Sequence, residues 1–329
     1  MSNQKKYVIT RVAQNNMKMC APGKAPGDCA TILRDKGYVN LAFKMPIGGK
    51  IKKAFSTIIQ VLRIRIMLPR RCKVVVQYPV TPYFVKLIGL CKKLSITILV
   101  HDIESIRVSG KMNADDVQSF GIADEIIVHS PAMKNLLERS GIDSSKVKIL
   151  HYFDYLTTYE NQEKRALGNE VCFCGNLNKS KVLIEKFAKQ EGVHYNLYGA
   201  QKVENSNNIS YMGGFSPEEI SHIKGSWGLV WDGPSTDGCE GLLGEYLKIN
   251  APHKQSLYIA AELPLIVWSQ SPSAVWVKER KLGIVVENLN NLARELSKVT
   301  LSDYGAMLKN VKELSLLLRN GKNLGSIMD

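Results

Sequence analysis

This sequence predicts an α/β protein made of two successive domains, each a parallel sheet flanked by helices, and three observations support that prediction. Short apolar, β-branched runs alternate with longer amphipathic stretches along the whole chain, which is the pattern of βαβ units. The 329 residues exceed one average domain, and ordinary hydrophobic (45%) and charged (22%) fractions let each half build its own core. A polar, aperiodic stretch, Tyr155–Asn169, interrupts the alternation near the middle and reads as a linker. The expected boundaries are residues 1–155, residues 165–305, and a tail helix over 306–329 that returns toward the first domain.

In the first half, strands are expected near Tyr7–Val12, Val39–Phe43, Lys73–Gln77, Ile96–Val100, Glu125–Val128 and Val147–Leu150. Helices fit between them at Cys29–Lys36, Ile51–Met67, Tyr83–Lys93, Asp115–Phe120 and Pro131–Ser140. The last carries Ser130 at the N-cap, Pro131 in the first turn and Gly141 beyond the end. In the second half, strands are expected near Glu170–Cys174, Tyr195–Tyr198, Ile209–Met212, Gly228–Trp231, Leu265–Trp268 and Ile284–Val286. The helices there are Ser180–Lys189, Ser216–His222, Pro252–Ala261, Ser273–Arg280, Leu289–Lys298 and Ser302–Leu318.

The formal net charge of +14 is concentrated in one place. No acidic residue lies between Asp35 and Asp102, and that stretch holds 13 of the 44 Lys and Arg residues. The remainder is balanced, with 31 basic against 30 acidic residues. So long an acid-free run asks for an anionic partner: nucleic acid, a phospholipid surface or a phosphorylated substrate. Within it, Ile51–Met67 has apolar residues at 51, 55, 58, 59, 62 and 66 beside Lys50, Lys52, Lys53, Arg63 and Arg65. Two readings fit that helix. It lies on an anionic membrane surface, or it packs its stripe on the sheet as an ordinary domain helix.

No window approaches the roughly 20 apolar residues of a membrane span, and Met1-Ser-Asn-Gln-Lys-Lys has no signal-peptide pattern. A cytoplasmic protein is expected, peripheral on the inner membrane face if the basic helix docks there. The seven cysteines show no zinc spacing and read as buried thiols; Cys172 and Cys174 would share one face of a strand.

The strongest chemical segment is Gly228-Leu-Val-Trp-Asp-Gly, followed by Gly244-Glu-Tyr-Leu-Lys-Ile-Asn-Ala-Pro-His-Lys and the run to Trp268. It reads strand, loop, helix, turn, strand. Asn250 is expected to cap a helix whose first turn holds Pro252, His253 and Lys254. A helix N-terminus attracts phosphate through its free N–H groups and positive dipole end. A lysine there is electrostatically awkward unless an anion joins it. A second segment, Phe173-Cys-Gly-Asn-Leu-Asn-Lys-Ser180, ends a strand in Gly175 and Asn176 and brings Lys179 before a helix. Tyr198-Gly199 ends the next strand.

In the first half, Val100-His101-Asp102-Ile103-Glu104 ends a hydrophobic strand with three ionisable groups suited to acid–base work. Gln77 and Tyr78 end the adjacent strand. The loop Gln14–Asp28, with Asn15 and Asn16, follows the first strand. Asp-x-Asp, Gly-x-Gly-x-x-Gly after the first strand, the nucleoside-triphosphate loop and Gly-x-Ser-x-Gly are all absent. No metal site is expected, and neither a dehydrogenase nor a serine hydrolase is expected.

On the 228–268 run, the sequence resembles bacterial β-1,6-galactofuranosyltransferases of surface-polysaccharide synthesis and the glucosyltransferases that extend glycans on streptococcal serine-rich adhesins. Weaker likeness extends through Val100-His-Asp102, Ala123-Asp-Glu-Ile-Ile-Val-His-Ser130 and Phe173-Cys-Gly-Asn176. The resemblance implies a GT-B fold: two Rossmann-like domains facing a central cleft, with the acceptor on the first and the nucleotide-sugar on the second. It implies Lys254 and Lys179 as diphosphate-binding cations. Around them the donor set is Gly175, Asn176, Tyr198, Gly199, Asp232, Asn250, His253 and Ser256, and the acceptor set is Asn15, Asn16, Gln77 and Tyr78. In the adhesin enzymes an arginine aligns with Lys179, and lysine keeps the charge without the fork.

The expected reaction is metal-independent transfer of a hexosyl group, galactofuranosyl first, from a UDP-sugar to a glycan, with UDP-glucose-dependent extension of a protein-linked glycan as the alternative. Asp102 is the first expectation for the base, Glu104 the second, with His101 positioning or replacing them. No cofactor is expected. The partners are the UDP-sugar, an oligosaccharide acceptor such as one on a polyprenyl diphosphate, and an anionic membrane; homo-oligomerisation is left open. A basic protein that binds nucleic acid or membrane without catalysis is the reading from another class. Against nucleic acid, aromatics are not interleaved with the cations.

Overall fold

A computed structural model describes residues 4–12, 23–44, 48–80, 84–89, 94–158 and 164–329. The chain divides into two compact units. One takes the described residues up to Leu150 together with Leu324–Asp329, and the other takes His151–Asn323.

The first unit runs β1 (Lys6–Val12), α1 (Lys24–Asp35), β2 (Tyr38–Lys44), α2 (Lys50–Met67), β3 (Lys73–Tyr78) and α3 (Phe84–Gly89). It continues with β4 (Ser95–Val100), α4 (Glu104–Ser109), α5 (Ala114–Ile122), β5 (Glu125–Val128), α6 (Pro131–Arg139) and β6 (Val147–Ile149). All six strands are parallel in the order β2-β1-β3-β4-β5-β6. The order reverses between β1 and β3, and in such sheets ligands bind beyond the carboxyl ends of the strands at that point.

The second unit runs β7 (Glu170–Cys174), α7 (Lys181–Phe187), β8 (His194–Tyr198), β9 (Ile209–Gly213), β10 (Trp227–Val230), α8 (Gly241–Leu247) and α9 (His253–Ala260). It ends with β11 (Leu265–Trp268), α10 (Ser273–Glu279), β12 (Gly283–Val286), α11 (Leu292–Ser297), α12 (Leu301–Arg319) and α13 (Lys322–Ile327). Its parallel order β12-β11-β10-β7-β8-β9 reverses between β7 and β10. Every residue of β10 and β11 is buried. Strands covered on both faces read as continuous apolar runs, which is why both stand out in the sequence.

Packing fixes the helices against these sheets. Gly228 in β10 leaves no room for a Cβ, which would lie 2.3 Å from Cγ of Tyr258 in α9. The Tyr258 hydroxyl in turn accepts the backbone N–H of Cys174 at 2.8 Å. One tyrosine thus ties α9 to the two strands that flank the switch point. Cys172 and Cys174 share the same face of β7 as thiols, their sulfurs 3.4 Å apart.

Several local expectations are corrected. The stretch Ser216–His222 is a 3₁₀ turn over Ile220–His222 and not a helix. Residues 24–28, expected in a loop, open α1, where Lys24 and Asp28 form a buried ion pair at 2.9 Å. Helices α4 and α8 add to those expected. The tail is two helices: α12, which belongs to the second unit, and α13, whose last residues from Leu324 join the first. The stripe of α2 does not lie on the sheet. Its buried residues are Thr57, Val61 and Ile64, and the six apolar residues of the stripe are exposed.

Candidate functional site

In the second unit the switch point gathers the predicted cations. After β10 the chain turns at Trp231-Asp232-Gly233. Gly233 has φ +98°, and a Cβ there would lie 2.5 Å from the Glu240 carbonyl oxygen, so only glycine makes this turn. Asp232 accepts the Gly233 N–H through Oδ1 at 3.1 Å and meets Lys179 Nζ through Oδ2 at 3.0 Å. Lys254, the second residue of α9, places Nζ 2.9 Å from the Trp231 carbonyl oxygen and 4.8 Å from the Phe173 ring centroid. Lys254 and Tyr258 are one turn apart on the same helix face. The Gly228–Tyr258 packing therefore sets how deeply Lys254 reaches over the strand ends.

Burial pushes the Lys254 ammonium below its ordinary lysine value; Asp232 opposes that shift and Lys179 adds to it. Burial also pushes the neighbouring Cys239 thiol up to about 12, so it stays neutral at physiological pH. Asp232 pairs with Lys179 and acts on Lys254 only through its charge, so a second anion placed there would restore charge balance.

The loops around them are tightly made. Gly175 and Asn176 follow β7, and Asn176 Oδ1 accepts the Lys179 N–H at 3.0 Å. Gly175 N–H bonds to the Tyr198 carbonyl at 3.0 Å. Gly199 lies so close to Gly175 that a Cβ would sit 2.5 Å from its carbonyl oxygen. The Tyr198 side chain is committed inward: its hydroxyl donates to the His222 carbonyl at 3.0 Å and accepts from Lys224 N–H at 2.8 Å. Ser256 is buried within α9.

Asn250 does not cap α9. Its N–H bonds back to Tyr246 at 3.0 Å, closing the turn after α8, and Pro252 occupies the cap position instead. The residue before a proline avoids helical backbone, so the new helix starts after it. His253 opens α9 with its ring stacked on Tyr155 at 5.1 Å and edge-on to Phe153 at 6.2 Å.

In the first unit, β4 ends in His101 and Asp102 beside β3, which ends in Gln77 and Tyr78. His101 Nε2 lies 2.7 Å from Gln77 Oε1. The Gln77 amide nitrogen donates to the Pro26 carbonyl and to Thr10 Oγ1, each at 3.0 Å. A carbonyl can only accept, so Pro26 fixes which end of the Gln77 amide faces His101. Gln77 Oε1 can also only accept, so His101 Nε2 carries the proton. Neutral His101 therefore holds its lone pair on Nδ1.

Asp102 Oδ2 pairs with Arg107 Nη1 at 2.6 Å, and Arg107 Nη2 lies 3.9 Å from Glu104 Oε1. Oδ1 of Asp102 is buried and has no hydrogen-bond partner among the described residues. Glu104 opens α4, and its side chain is 61% exposed. Tyr78 is buried, its hydroxyl bonded to Asp116, which also receives the Ser105 hydroxyl. That contact serves packing, and it departs from the acceptor role expected of the Tyr78 side chain. Asn15 and Asn16 lie outside the described residues.

Sequence reasoning missed Arg107 and Phe173. Arg107 lay in a helix too short to show periodicity, and Phe173 read only as strand.

Comparison with known proteins supplies the family. The model described as "Glucosyltransferase 3-like, N-terminal domain" matches residues 6–152, and its C-terminal counterpart matches residues 171–328. The chain is 28% identical over 315 residues to the β-1,6-galactofuranosyltransferase WbbI of Escherichia coli, covering 93% of this chain and 92% of that protein. It is 27% identical over 233 residues to glucosyltransferase 3 of Streptococcus gordonii, covering 68% and 66%. Among solved structures, Anabaena HepE in complex with UDP superposes with a TM-score of 0.60 at 11% identity, over 98% of both chains. Sucrose-phosphate synthase of Thermosynechococcus elongatus gives 0.59 at 14%, over 98% of this chain and 97% of that one. The two sheets have the GT-B fold, and with both halves matched by its models the chain belongs to the glucosyltransferase 3-like family of glycosyltransferases.

Proposed function

We propose that the protein transfers a hexosyl group, galactofuranosyl in the first instance, from a UDP-sugar to a hydroxyl of a bacterial surface glycan, without a metal ion. The pairing of Lys179 with Asp232, next to Lys254 on the Trp231 carbonyl at the β7/β10 switch point, carries this reading. Departure of the nucleoside diphosphate leaves negative charge on its phosphates. Two cations and the N–H groups opening α9 would stabilise it, the task that a divalent ion performs elsewhere. HepE, whose two sheets superpose on these, is solved with UDP. WbbI, similar along nearly the whole chain, is a galactofuranosyltransferase.

In an inverting transfer the acceptor hydroxyl loses its proton as it attacks. His101 is the base this geometry favours. Gln77 holds the proton on Nε2 and so makes the buried Nδ1 the basic nitrogen of the neutral ring, whereas Asp102 Oδ2 is engaged by Arg107. Glu104, exposed at the start of α4, ranks below both.

A second reading is favoured by the family description and by the Streptococcus gordonii relative: UDP-glucose as donor, with a protein-linked glycan extended. One experiment addresses both readings. The purified protein is given UDP-galactofuranose, UDP-glucose and other UDP-sugars with oligosaccharide acceptors, with and without EDTA. Transfer from UDP-galactofuranose that EDTA leaves unchanged is expected. Preference for UDP-glucose selects the second reading, and strict dependence on Mn²⁺ or Mg²⁺ overturns the metal-free mechanism.

A further inference from the structure

The 18-residue helix α2 has two apolar faces. At about 100° of rotation per residue, Thr57, Val61 and Ile64 share the inner side, where they are buried. Ile51, Phe55, Ile58, Ile59, Leu62 and Ile66 fall on an arc about 100° wide on the outer side. All six are exposed, Ile51 at 88% and Ile66 at 84%. The inner face accounts for the place of α2 in the fold. The outer face does not, and six contiguous apolar side chains are not the single scattered residues of an ordinary surface.

The charge around this face selects its occupant. Lys52 and Arg63 border the arc and are exposed, and Lys53, Arg70, Arg71 and Lys73 are exposed in and just after the same helix. No acidic residue occurs between Asp35 and Asp102. A two-fold pair of copies would set this face against itself. Lys52 and Arg63 of each copy would then meet with no carboxylate of that stretch to balance them. A surface of lipid phosphates offers both an apolar layer and the missing charge. We propose that α2 docks the protein on an anionic lipid surface, its outer apolar face at the headgroup–acyl boundary and its flanking cations among the lipid phosphates. No helix of the described residues is long and apolar enough to cross a membrane, so this helix lies on the bilayer. The proposal stands independently of the donor sugar.

The test is sedimentation of the full-length protein with vesicles of phosphatidylcholine mixed with phosphatidylglycerol, and with vesicles of phosphatidylcholine alone. Binding to the anionic vesicles that weakens with salt is expected. Phe55→Glu combined with Leu62→Glu should lower the partition coefficient at least about tenfold, since two large side chains leave the interface. Lys52→Glu with Arg63→Glu should act in the same direction. The altered positions are exposed, so thermal unfolding and UDP-sugar binding should be unchanged, which separates this outcome from failure of the proposed reaction. Absence of binding at low salt overturns the proposal, as does equal binding to uncharged vesicles or wild-type binding by the Phe55/Leu62 variant. So does an oligomer in sedimentation velocity that the Phe55/Leu62 variant converts to monomer, because a second copy would then cover the face.

Discussion

Lys254 Nζ lies 2.9 Å from the Trp231 carbonyl oxygen, so a cation from the first turn of one helix is anchored at the end of the strand that borders the switch point. An ammonium held by a single carbonyl keeps donors for a further acceptor. If that acceptor is a phosphate oxygen of the donor, Lys254→Ala removes one charge-assisted hydrogen bond. Such a bond contributes about 1.5–3 kcal/mol, or roughly 10- to 150-fold in donor affinity. Titration calorimetry with UDP would show the loss while the thermal transition stays near wild type. Unchanged affinity would remove Lys254 from the site.

The same lysine gives a pH dependence whose sign is fixed. Burial lowers its folded-state value below that of a free lysine, so it deprotonates at a lower pH than an exposed lysine does. Donor binding needs the protonated form. The donor KM should therefore rise as pH climbs through the lowered value, before free lysines titrate. Lys254→Arg keeps the charge at every accessible pH and should flatten that limb of the profile. A limb that survives the arginine substitution belongs to another group.

Much of this site was legible in the sequence, for identifiable reasons. All twelve strands among the described residues were marked by apolar β-branched runs, because sheets covered by helices bury both faces of their central strands. Lys254 and Lys179 stood out because each lies where a helix begins after a strand. Helix α8 was hidden by Gly241 and Gly244, which read as loop residues. Gly244 is there because a Cβ would lie 1.9 Å from the Cys239 carbonyl oxygen, a tertiary constraint without a local trace. The pairing of Lys179 with Asp232 spans 53 residues and depends on strand order. The stripe of α2 was visible, but periodicity reports that a face exists and not which way it points.

The Gly228–Tyr258 contact ties stability to the site. Gly228→Ala would set a Cβ 2.3 Å from the tyrosine ring, so α9 must move away from β10. Overpacking of this kind costs about 1–3 kcal/mol. Because Lys254 is carried by the same helix, the donor KM should rise along with the fall in Tm. Tyr258→Phe keeps the ring and strips the acceptor from the Cys174 N–H, so it should lower Tm with a smaller effect on the donor KM. Denaturation curves with donor kinetics on both variants make the check. Equal KM changes in the two would break the link between helix depth and lysine position.

His101 and Asp102 are separated by what each substitution does to the rate. With His101 Nδ1 as the base, His101→Ala should lower kcat by roughly 10²- to 10⁴-fold and leave the donor KM near wild type. Asp102→Asn should cost less, since its carboxylate is engaged by Arg107. Gln77→Leu removes the acceptor that keeps the proton on Nε2 and lets the imidazole adopt the other tautomer. Its kcat should fall with little change in KM. A larger loss in Asp102→Asn than in His101→Ala would transfer the role of base to the carboxylate.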